Sequence, residues 1–239
     1  MSLKQIYSFL IPLTLLFLLS LSAASAAPKP HVLFSEKFEG KSLNPHFWDV
    51  HTNNGSVSVQ DRVVTITSSD LYQFPFVQLN VNPFPTYKPF TLSWDMRYIS
   101  HGNNWDGFTY GFAKQDANTF CDPLHQSYGS GSTCTVLGGL LPQRIILSTN
   151  GYMLNPVDDT QWHTYSVTCA PLTTDLSCSM SIDGSLISNW GINNNVTNAE
   201  TPYLGALWFG QSGDNIPAES GFFGDWSPFQ LSNIAVTTP

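Results

Sequence analysis

An indole, a carboxylate and a glycine stand in a row at Trp105, Asp106 and Gly107. An ionised carboxylate only accepts hydrogen bonds, and it can take two at once from neighbouring hydroxyls. The indole offers a flat apolar face, and glycine lets a ligand come close to the backbone. These are parts from which a sugar site can be made. The flanking sequence says how they would be held. Leu92, Trp94, Met96 and Tyr98 alternate with Thr91, Ser93, Asp95 and Arg97, and Phe108, Tyr110 and Phe112 alternate with Thr109 and Gly111. That is strand periodicity on both sides of a polar turn at residues 101–104.

Acid–base chemistry on a glycosidic bond needs two carboxylates close together. Glutamate is scarce: Glu36 and Glu39 fall at a first strand, Glu200 and Glu219 in late loops. Asp95 and Asp106 flank the polar turn without sharing a strand spacing. Arg97 shares a polar face with Asp95 at i, i+2, which reads as a salt bridge. No two histidines stand two or four apart, so no metal pair is assigned, and His163 reads as an ordinary sheet residue. No catalytic residue is assigned. Trp94, Trp162 and Trp208 lie in strands and are expected in the core. Trp48, Trp105, Trp190 and Trp226 lie near loops, where an exposed ring could touch a ligand.

The elements that position these residues begin after an export signal. Lys4 precedes an apolar run over residues 9–21, then small residues up to Ala27. This reads as a secretory signal over residues 1–26, leaving one domain at 27–239 and a secreted, extracellular chain. No other stretch reaches the length of a membrane span, so no membrane contact is expected beyond the signal. Charged residues are only 11% and the formal net charge is −8, with three arginines in 239 residues; nucleic acid is excluded as a partner. Four cysteines in an oxidising compartment allow three pairings, of which the local one, Cys121–Cys134 with Cys169–Cys178, is favoured. Asn54 and Asn195 head glycosylation sequons.

About a dozen short strands follow with turn signals between them. Strands are expected over residues 32–38, 57–60, 63–67, 71–81, 137–141, 144–149, 162–169, 178–182, 185–188, 203–210 and 229–237, besides the central pair. Pro75 inside one of them argues for an edge or a bulge. Asp61-Arg62, Asn150-Gly151 and Asp183-Gly184 mark turns. No amphipathic helix is legible, so the class is all-β and the architecture a sandwich of two antiparallel sheets.

The order of motifs resembles the concanavalin A-like lectin and glucanase superfamily. The resemblance rests on Asp106-Gly107-Phe108, on Trp162 to Val167 followed by Ser179 to Gly184, and on Leu204 to Ser212 followed by Phe229 to Ile234. Legume-type lectins and laminin G-like modules share this pattern. The resemblance implies a jelly roll with carbohydrate as the usual ligand. It implies Asp106 as acceptor for sugar hydroxyls, Trp105 as stacking surface, Asn150 as a helper, and Gln211, Ser212 and Asp214 as the last contacts. Calcium would need an acidic residue where this chain has Ile145-Ile146-Leu147-Ser148, so its expected ligands are missing. Laminarinase-type members have Glu-x-Asp-x-x-Glu on one strand, and this chain does not. The resulting expectation is a secreted lectin-like domain without catalysis. A hydrolase or lyase of the same fold and a laminin G-like adhesion module are the alternatives. Oligomeric state is not legible.

Overall fold

Alternation of apolar and polar side chains forces a two-layer packing. Phe90, Leu92, Trp94, Met96 and Tyr98 are all at most 3% exposed, while the residues between them stay half-buried on the opposite face. An extended strand sends neighbours to opposite sides, so such a strand must be covered on one side only.

The computed structural model describes residues 29–52, 55–67, 75–81, 83, 88–100, 106–114, 134–141, 144–147, 151–157, 159–172, 175–193, 200–208 and 228–239. Fifteen strands lie among them: β1 (His31–Glu36), β2 (Trp48–His51), β3 (Ser56–Gln60), β4 (Val63–Thr67), β5 (Phe76–Leu79), β6 (Phe90–Tyr98), β7 (Asp106–Lys114), β8 (Cys134–Leu141), β9 (Arg144–Leu147), β10 (Gly151–Leu154), β11 (His163–Pro171), β12 (Asp175–Ile182), β13 (Ser185–Asn193), β14 (Glu200–Trp208) and β15 (Phe229–Thr238). One sheet runs β13-β12-β11-β6-β15-β4-β3, with β1 added against β15. The other runs β10-β9-β8-β7-β14-β5-β2, and every pairing in both is antiparallel. The chain divides between Pro30 and His31, and all the strands belong to the second unit. The signal at 1–26 lies outside the described residues.

The two alternating segments around residues 101–105 are consecutive strands in different sheets. β6 lies in the first sheet and β7 in the second. Their rings meet in the core: Trp94 lies 5.5 Å from Phe108 and 5.0 Å from Tyr110, and stacks on Tyr165 at 5.9 Å. The Tyr98 hydroxyl donates to the Leu140 carbonyl, a hydrogen bond from one sheet to the other.

The turns follow their residues. Asp183 and Gly184, with φ of 50° and 78°, join β12 to β13, and Asp61 and Arg62, at 52° and 66°, join β3 to β4. Two successive positive φ values match the right-handed twist of the flanking strands. Cys169 and Cys178 are register partners on β11 and β12, bonded on the core face with Cα atoms 4.1 Å apart. Cys134 opens β8, while Cys121 and the pairing proposed for it lie outside the described residues. Pro75 corrects the expected strand: β5 begins after it and is an interior strand, between β14 and β2. Proline has no N–H for the ladder, so it stands where the ladder starts.

Candidate functional site

Strand register shows which segments leave the sandwich near Asp106. Asp106 opens β7 and pairs with Trp208, the last residue of β14, and Gly107 pairs with Leu207. The start of β7 and the end of β14 therefore lie side by side at one end of the second sheet. The side chains of Asp106 and Trp208, and residues 105, 150, 211, 212 and 214, lie outside what is described. The strand ends that flank Asn150 lie two and three strands from β7, level with its middle. Leu147 and Gly151 pair with each other, and Leu147 is level with Gly138 and hence with Tyr110. The sequons at Asn54 and Asn195 also fall outside the described residues.

The first sheet contributes chemistry at the same end, because β6 finishes there. Arg97 and Trp162 stand next to each other on its outward face, the guanidinium carbon 5.1 Å from the indole centroid. The Arg97 Nε donates to Gln230 Oε1 at 2.8 Å, and the Gln230 amide donates to Thr65 Oγ1 at 3.1 Å. Asp95, one step along β6, accepts from Thr164 Oγ1 at 2.7 Å and from the Asn233 amide at 2.6 Å. The expected Asp95–Arg97 salt bridge is thus replaced by two separate arrangements. Each side chain finds a better-placed partner across the sheet than along its own strand.

Behind Trp162, His163 is held by two carboxylates. Its Nδ1 lies 2.7 Å from Asp183 Oδ2 and its Nε2 lies 3.0 Å from Asp159 Oδ1. Ionised carboxylates cannot donate, so both ring nitrogens must, which is the protonated form. Burial works against that charge, but hydrogen bonds to Asp183 and Asp159 and their charges outweigh it and raise the His163 pKa. Asp183 moves the other way, held down by the His163 hydrogen bond and by the Thr164 N–H donated at 2.9 Å. His163 is more than an ordinary sheet residue: it ties the segment before β11 to the β12–β13 turn.

The tryptophans fall differently from their expected places. Trp94 is fully buried, as its strand position implies. Trp162 is 38% exposed, because it shares the outward parity of Thr164 and Ser166. Trp48 and Trp190 are buried at 2% and 7% exposure, so neither can present a ring to a ligand. Trp48 instead donates its indole N–H to Glu36 Oε2 at 3.3 Å. The outward parity of Trp162 was the signal that could have found it.

Among the described residues nothing supplies the oxygen ligands of a lectin-type calcium. Ile145 on β9 is fully buried, and β8, β9 and β10 contain no carboxylate. Calcium needs several oxygen donors. Among the described residues no group of three His, Cys, Asp or Glu side chains could hold a metal ion. Asp159 and Asp183 sit on different nitrogens of one ring, so they cannot share an ion with it.

Neither a protein-family model nor a curated protein matches the chain. Solved structures do. An endo-1,3-β-glucanase from Streptomyces sioyaensis aligns with a TM-score of 0.55 at 14% identity, covering 91% of this chain and 100% of that one. LamAcat from Zobellia galactanivorans aligns at 0.52 and 13%, over 87% and 98%. The carbohydrate recognition domain of Emp46p in its metal-free form aligns at 0.53 and 11%, over 85% and 95%. At such identities the likeness is one of fold: this is the concanavalin A-like jelly roll.

Proposed function

We propose that this chain is a secreted, lectin-like domain that binds a glycan without catalysis, at the end of the sandwich where Asp106 opens β7. Asp106 accepts hydrogen bonds from sugar hydroxyls, Trp105 supplies the stacking face, and Gln211, Ser212 and Asp214 complete the rim. Asn150 remains the helper residue of this reading. Residues 1–26 act as the export signal, and Asn54 and Asn195 are the glycan acceptors.

The observation that supports binding over hydrolysis is the placement of carboxylates in the second sheet. Its described strands contain three, Asp49, Asp106 and Glu200. Glu200 pairs with Lys114, eight residues along β7 from Asp106, which is about 26 Å. Asp49 connects through Gln78 and Tyr203 to Gly111, three strands over and five residues along, roughly 22 Å from Asp106. Glycosidases hold their two acids about 5–10 Å apart. The third pair, Asp49 and Glu200, is two strands over and three residues along, roughly 14 Å apart, so none of the three pairs reaches that spacing, and β8, beside β7, has no acid at all. The glucanase neighbours favour one second reading, a hydrolase whose acids come from loops.

Incubation of the exported chain with a panel of polysaccharides separates the two. The proposal expects retention on at least one glycan with no new reducing ends and no unsaturated products. Release of either product from a retained glycan overturns the non-catalytic reading, and retention on none overturns the proposal.

A further inference from the structure

We propose that Arg97 and Trp162 form a binding site for an acidic sugar: a uronic acid residue set among neutral ones. The site does not depend on the Asp106 rim. Among the described residues Arg97 uses only its Nε, in the bond to Gln230. Among the described residues its two terminal nitrogens meet no carboxylate. Asp95, the nearest acid along the strand, is about 7 Å along the same face and turns its oxygens to Thr164 and Asn233. The guanidinium is therefore a cation oriented at Nε, with its far edge unmatched by a carboxylate among the described residues. That edge is the planar fork that matches a carboxylate with two parallel hydrogen bonds.

The indole beside it makes the ligand a sugar. Trp162 is 38% exposed and lies against the Arg97 guanidinium. A pyranose offers an apolar C–H face to the ring and hydroxyls to the indole N–H and to the amide and hydroxyl groups nearby. Stacking against Arg97 already holds the ring in place, so little freedom is lost on binding. Charge limits the ligand further. One cation on a chain of net charge −8 suits an isolated carboxylate and disfavours an acidic peptide or a polyuronate.

The test is titration of the exported chain with an oligosaccharide bearing one glucuronic acid, and with the same oligosaccharide carboxyl-reduced to glucose. The acidic form should bind at least ten-fold tighter at low ionic strength, with the preference shrinking as salt rises. Arg97→Gln should abolish the preference, and Arg97→Lys should retain part of it because charge remains without the fork. Trp162→Ala should weaken both forms, and Asp106→Ala should leave the preference intact even if the rim site is lost. Equal affinity for the two forms overturns the proposal, as does binding of neither or a preference that survives Arg97→Gln. Tighter binding of an acidic peptide than of the acidic oligosaccharide overturns it as well.

Discussion

His163 is clamped between two acceptor-only carboxylates, and this makes part of the stability depend on pH with a known sign. Its raised pKa means the contribution is present below 6.5, the ordinary histidine value, and is lost as pH rises through the folded value. The lowered pKa of Asp183 means its contribution is present above 3.8 and is lost as pH falls through its folded value. Wild type should therefore exceed His163→Gln in melting temperature most between pH 3.8 and 6.5. A gap that widens above pH 7 would contradict this. Comparison with the variant is needed because His51 has the opposite sign: burial lowers its pKa, against a smaller opposing effect of Asp49, so its contribution grows as pH rises. Gly55 gives a second residue-scale prediction. A Cβ there would press on the Thr67 carbonyl and stand 2.6 Å from Pro75 Cγ, so backbone or ring must shift. Gly55→Ala should cost roughly 1–3 kcal/mol in denaturant unfolding, and an unchanged midpoint would refute the contact. Neither feature was visible from spacing alone. His163 and Asp183 are 20 residues apart and meet only because β11 and β12 pair.

At the scale of elements, turn chemistry and alternation were legible. Asp183-Gly184 and Asp61-Arg62 were placed correctly because two-residue hairpin turns have a local signature. The Cys169–Cys178 bridge was legible for the same reason, since its cysteines face each other across a hairpin. Closing so short a loop should contribute about 2–3 kcal/mol through the unfolded chain. The double variant Cys169→Ala/Cys178→Ala should show that loss in urea unfolding, and wild-type stability would contradict it. Strand partnership was not legible. β6 and β7 are adjacent in sequence and look like a hairpin, yet β6 pairs with β11 and β15, and β7 with β8 and β14. Pairing is decided by which apolar faces cover each other, and alternation within one strand does not encode its neighbours. Trp162 shows the finer failure: its identity suggests core, while its parity with Thr164 puts it outside.

For the whole molecule, the all-β class and the two-sheet sandwich followed from strand periodicity and the absence of a helical pattern. The site was legible only as chemistry, an acid and an indole at the mouth of a strand. That β14 ends against Asp106, and that Leu147 and Gly151 are level with Tyr110, needed the register. The same register keeps the three strand carboxylates of the second sheet far apart, the whole-molecule reason for expecting binding without turnover. One experiment bears on this most directly: retention of wild type and Asp106→Ala, side by side, on an array of plant, fungal and animal glycans. The account predicts that wild type is held by a defined set of glycans and that Asp106→Ala loses the neutral members of that set by ten-fold or more while melting at the same temperature. Undiminished retention of the folded variant would contradict it.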